Sequence, residues 1–236
     1  MRPTVRTPEL WVIFPVLAVL VLVNLSNNLW APDLYVPVSI AAAALLIWIA
    51  RQSGLFWTDL GLGPHWVRNG FRWGLPFVGV VAILYSAAFV IPAGQQFFVD
   101  ERLAETSLWE VLWLALVRVP FGTVLLEEVA FRGVLYGLFR RRFGPLFATI
   151  GSSVLFGLWH VLPTIPLANS VPAIGDALGP GVDASLVSVL VAVAFTTVAG
   201  VGFVMLRRWS HSLLAPSLVH CATNSLGYLF AWVARV

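Results

Sequence analysis

Apolar runs long enough to cross a bilayer as helices recur along the chain, separated by short segments rich in Arg, Pro, Gly, Asn and Asp. Reading for spans of about 20 residues predicts about seven helices, over residues 9–28, 33–50, 71–92, 108–142, 145–162, 184–206 and 211–234. The first run follows Arg2 and Arg6 as a signal peptide would. It has no small-residue cleavage site and runs into Asn24-Leu25-Ser26-Asn27-Asn28, which predicts an uncleaved span. The fourth run would be about 50 Å long if continuous. Pro120 and Gly122 within it predict a kink or a separate outer piece. Residues 51–70, with Trp57 and Trp66, read as an interfacial connector, and 163–183 as a long outer loop without a regular pattern. Gly133 and Gly137, four apart, predict the close approach of another helix.

Composition sharpens this. The chain is 59% hydrophobic and 11% charged, where a soluble domain carries about 25% charged residues. With a mean hydropathy of +0.89, it has too much apolar surface for a soluble fold of this size. The fold class expected is all-α: a polytopic helical bundle in the lipid bilayer of the cell membrane, multi-pass, with residues 1–236 forming a single domain. Cys221 is the single cysteine, so no intrachain disulfide can form. Every basic residue is arginine, and their positions are topological. With the N-terminus cytoplasmic, inner segments hold Arg2, Arg6, Arg51, Arg68, Arg72, Arg140, Arg141, Arg142, Arg207 and Arg208, and outer ones only Arg102 and Arg235. Outer segments instead carry Asp33, Asp100, Glu101, Glu105, Asp176 and Asp183. A re-entrant piece near 95–107 would break this alternation. No basic patch with interleaved aromatics points to a nucleic-acid partner.

Against this background a few polar residues stand out. Glu127 and Glu128, with Arg132 a turn later, sit in a run apolar enough to cross the membrane. Each charge at that depth costs about 2.5–3.5 kcal/mol even on a lenient scale, so an intramembrane carboxylate marks function. His160, His220 and Asn224 lie in other apolar runs. Counted from Arg140, Pro145 and Arg208, all four positions fall roughly 18–24 Å from the inner boundary. Three helices therefore deliver polar groups to one layer. Glu128 and Arg132 are spaced to pair on one helical face, and Glu127 points about 100° away. Phe156 and His160 share a face, as do His220 and Asn224. Such a set supplies an acid or base, a nearby imidazole and donors for a developing oxyanion.

The three patterns Glu127-Glu128-x-x-x-Arg132, Phe156-x-x-x-His160 and His220-x-x-x-Asn224, with the flanking Phe131-Arg132-Gly133 and Phe156-Gly157-Leu158-Trp159-His160, resemble the ordered motifs of the CPBP family. These are the CAAX prenyl endopeptidase and bacteriocin-processing proteins, also called type II CAAX or ABI intramembrane proteases. The resemblance covers about residues 108–230; the spans within 1–107 match only in being hydrophobic. It implies endopeptidase hydrolysis of a membrane-associated peptide or protein substrate, CAAX-type and prenylated in eukaryotic members. It also implies Glu127 as general base with His160 activating water, His220 and Asn224 stabilising the oxyanion, and Glu128, Arg132 and Phe156 in support. Together with the arginine-rich rim, it suggests water entry from the inner face. The family is often called metalloprotease. There is no His-Glu-x-x-His helix here, yet Glu127, His160 and His220 could form a three-ligand Zn2+ site. A glutamate-activated water is the preferred reading.

Other readings stand beside this one. Buried Glu, His and Arg also build proton relays, so a proton-coupled transporter is an alternative; the absence of an inverted repeat and the single polar layer argue against it. A non-catalytic immunity or scaffold protein retaining the fold is another. The Glu128–Arg132 pair can be structural, Asn224 can be helix–helix glue, and Cys221 a small buried filler. His65 and His211 lie at the membrane boundary, Arg118 is expected to tie to an outer-loop acid, and the tryptophans are expected as anchors or packing.

Overall fold

A computed structural model describes residues 10–168 and 184–235, all helix and turn with no strand among them. The arginines at positions 2 and 6, the acids at 176 and 183, and most of the 163–183 loop lie outside the described residues. The helices are α1 (Leu10–Trp30), α2 (Pro32–Gln52), α3 (Trp66–Val90), α4 (Leu108–Phe143), α5 (Pro145–Trp159), α6 (Val161–Ala168), α7 (Ala184–Ser210) and α8 (Leu214–Ala234). Of these, α1 to α4 and α7 are long and apolar enough to cross a membrane. α5 is apolar but shorter. α8 has the length, but His220, Thr223, Asn224 and Ser225 lower its hydropathy. Length and apolarity therefore do not confirm seven spans, although the chain is a multi-pass helical membrane protein.

The long helix α4 neither breaks nor leaves a separate outer piece. It starts at a capping box in which the Ser107 backbone N–H donates to Glu110 Oε2 at 2.7 Å and the Glu110 N–H donates to Ser107 Oγ at 3.3 Å. Downstream, residues Leu114–Val124 and Glu128–Leu135 are wound as π-helix, so that the Leu125 N–H reaches the Pro120 carbonyl. The wider winding accommodates Pro120, which has no N–H to give.

At Trp159–His160 the expected single helix over 145–162 divides. Pro163 cannot donate to the Trp159 carbonyl, and α5 closes with the His160 N–H on the Gly157 carbonyl at 3.0 Å. α6 then continues as helix where an irregular loop was expected. The freed Trp159 carbonyl accepts from Asn24 Nδ2 of α1 at 3.1 Å.

Small residues set the helix contacts. A Cβ on Gly70 or Gly74 of α3 would meet Leu214 at 2.6 Å and Leu218 at 3.0 Å, so α3 lies directly on α8. A Cβ on Gly157 would sit 2.1 Å from Thr197 Oγ1, which fixes α5 against α7. The expected helix contact at Gly133 and Gly137 is instead with the 53–65 connector: a Cβ on Gly137 would meet Leu55 at 2.5 Å. This connector binds the arginine-rich end of the bundle. Asp59 pairs with Arg141, and the Thr58 and Asp59 carbonyls accept from Arg207 Nη2. At the other end, Arg235 donates to the Leu103 and Thr106 carbonyls and Trp232 Nε1 to Thr106 at 2.9 Å. The 98–106 segment thus lies across that end as turns and a short 3-10 helix, Glu101–Leu103, without a re-entrant span.

Candidate functional site

The two adjacent carboxylates face different partners, as their 100° offset requires. Glu128 and Arg132 form the expected pair at 3.1 Å, each 1% exposed. The pair is electrostatic, because neither Arg132 Nη makes a directed hydrogen bond. The guanidinium stacks instead on Phe156 at 3.7 Å and faces Phe203 at 4.9 Å. Such contacts contribute up to about 2 kcal/mol when desolvated, which offsets part of the cost of a buried cation. Phe156 also holds His160 edge-on, with centroids 4.7 Å apart.

His220 lies between the carboxylates. Its Nδ1 is 2.9 Å from Glu128 Oε1 and its Nε2 is 3.7 Å from Glu127 Oε2. Glu128 accepts, so Nδ1 carries the proton. Phe203 stacks on the imidazole with centroids 5.1 Å apart. Glu127 is buried, and its Oε1 accepts from Trp159 Nε1 at 2.9 Å while Oε2 has no hydrogen-bond partner. His160 Nδ1 is 2.7 Å from the Phe156 carbonyl, which leaves Nε2 as the free nitrogen.

A cavity of about 580 Å³ has Glu127, His160 and Asn224 in its wall, and continues to Asp100, Arg102 and Leu103. Three of the five polar groups singled out in the sequence therefore share one solvent-sized space, and Glu128 and His220 stand behind Glu127. The profile of the family described as type II CAAX prenyl endopeptidase, Rce1-like, matches residues 108–226. The chain belongs to this Rce1-like family. No curated protein and no solved structure matches it.

In this Rce1-like protein the matched region holds every motif residue, but the site draws on α1 and α2 as well. Asn24 anchors the Trp159 carbonyl. Tyr35 of α2 meets Thr123 Oγ1 at 3.2 Å, and a Cβ on Gly122 would lie 2.7 Å from its ring. Trp159 itself, expected as an anchor or packing residue, is the direct hydrogen-bond partner of Glu127; its place beside His160 was the available signal. Arg118 makes no ion pair with an outer-loop acid among the described residues, and lies 4.4 Å from the centre of the Tyr35 ring. Arg102 is tied to Asp100 at 2.6 Å, and that hydrogen bond raises its pKa above the ordinary arginine value.

Two further expectations meet the geometry here. Among the described residues no group of three His, Cys, Asp or Glu side chains is arranged to hold a metal ion, so Glu127, His160 and His220 are not assembled as a ligand set. The cavity runs to the end of the bundle bearing Asp100 and Arg102. The arginine-rich rim, from which water entry was expected, holds a separate cavity of about 430 Å³ lined by Arg140, Arg207 and Arg208.

Proposed function

We propose that this protein hydrolyses a peptide bond in a membrane-associated substrate, of the CAAX type to which its family points, by means of a water activated at Glu127. The supporting observation is the Glu127 carboxylate: one oxygen is fixed by Trp159, the other makes no hydrogen bond and has His220 Nε2 3.7 Å away, and the residue lines a cavity shared with His160 and Asn224. A buried oxygen without a hydrogen bond, on a carboxylate already held in place, is a suitable base.

In this reading, water bound between Glu127 Oε2 and His160 Nε2 attacks the scissile carbonyl carbon and passes a proton to Glu127. The carbonyl oxygen takes the negative charge, and the Asn224 amide donates to it. Collapse breaks the C–N bond, and Glu127 returns its proton to the leaving amine. His220, whose two nitrogens face the two glutamates, acts as a positioning residue in place of a direct oxyanion donor.

The test uses the full chain in liposomes, with membrane-anchored peptides carrying or lacking a farnesyl group. Wild type is expected to cleave, and Glu127→Gln and His160→Ala to lose roughly a hundredfold or more of the rate while keeping the fold. No cleavage by wild type, together with a Glu127-dependent proton flux, would replace hydrolysis with the carrier reading.

A further inference from the structure

We propose that Arg118 binds the C-terminal carboxylate of the substrate, a specificity contact that rests on the hydrolytic reading of Glu127. Arg118 lines the same cavity as Glu127 and His160. It has no ion pair or hydrogen bond among the described residues; its recorded contact is the Tyr35 ring. A cation–π contact with one ring uses no N–H hydrogen bond, so the guanidinium N–H groups remain to take a carboxylate with two parallel hydrogen bonds. The ring is itself held, by Thr123 on its hydroxyl and by the space that Gly122 leaves. The other cation of the cavity, Arg102, is already engaged by both oxygens of Asp100. Arg118 is therefore the cavity cation left for an anionic ligand.

Winding and distance bring the two groups into one reaction space. Nine residues are about two and a half α-helical turns, which would put Arg118 and Glu127 on opposite faces of α4. The π-helical stretch Leu114–Val124 changes that register, and both side chains reach the cavity. At the α-helical rise their separation along the axis is about 14 Å, and it is less where the helix is π-wound; at most about four extended residues cover that length. A peptide held by its terminal carboxylate at Arg118 thus lays a bond near its end beside Glu127. A free α-carboxylate occurs once per chain, so this contact selects ends over interior segments.

The experiment compares one membrane-anchored peptide as free acid, as C-terminal amide, and as an amide with glutamate at the last position. Hydrolysis by wild type, Arg118→Gln and Arg118→Lys is measured, together with binding to the Glu127→Gln protein with and without Arg118→Gln. Wild type is expected to prefer the free acid over both amides by roughly ten- to hundredfold, chiefly in KM. Arg118→Gln brings that ratio near one, and Arg118→Lys keeps part of it. Equal use of acid and amide by wild type, or a ratio unmoved in Arg118→Gln, overturns the proposal. A glutamate amide handled as well as the free acid overturns the terminal assignment. If nothing is hydrolysed but binding still separates acid from amide through Arg118, the hydrolytic reading fails and the carboxylate site stands; binding without that separation removes both.

Discussion

Trp159 Nε1 donates to Glu127 Oε1 at 2.9 Å, joining α5 to α4 inside the layer of buried polar groups. The bond leaves Glu127 with one satisfied oxygen and one that is buried without a hydrogen bond, 3.7 Å from His220 Nε2. Trp159→Phe keeps an aromatic ring and removes the donor. It is expected to lower kcat about tenfold with little change in KM, because the base loses its orientation and not its substrate contacts. An unchanged kcat in steady-state assays would show that Glu127 is positioned by other groups.

Arg132 and Glu128 form a buried pair of opposite charges. Removing one partner strands the other, so Arg132→Met alone is expected to destabilise the protein by about 3–5 kcal/mol. Pairing Arg132→Met with Glu128→Gln is expected to restore much of that, since no net charge is then left behind. Thermal unfolding in detergent of the two single variants and the double reads the coupling directly.

Gly157→Ala places a methyl where Thr197 Oγ1 and the Val193 carbonyl already lie, at 2.1 and 2.7 Å. The expected cost is about 1–3 kcal/mol as α5 is pushed from α7. Adding Thr197→Ala removes the hydroxyl but not the carbonyl, so recovery measured by the unfolding midpoint should be partial. Full recovery would mean that the backbones are less closely apposed than described.

Glu127, His160 and His220 are not gathered as three metal ligands. On the reading of a water activated by Glu127 alone, hydrolysis is expected to survive exhaustive dialysis against a strong chelator, with well under one zinc per chain in elemental assay. Stoichiometric zinc whose removal abolishes cleavage and whose return restores it would show that these side chains rearrange around an ion.

The membrane bundle, the single polar layer and the pairing of Glu128 with Arg132 were legible in the chain because each depends on local quantities: run length, depth from the arginines, and spacing within one helix. The family's motifs were legible for the same reason. Interhelical facts were not. That Trp159 reaches Glu127, that His220 stands between the carboxylates and behind the cavity, and that Asn24 takes the carbonyl released by Pro163 all follow from how rigid helices rotate against one another. Spacing rules assume 3.6 residues per turn, so they could not show that the π-winding of α4 brings Arg118 onto the side of Glu127. The order of residues set the depth of each group, and the packing of whole helices decided which groups face each other and on which side the cavity opens.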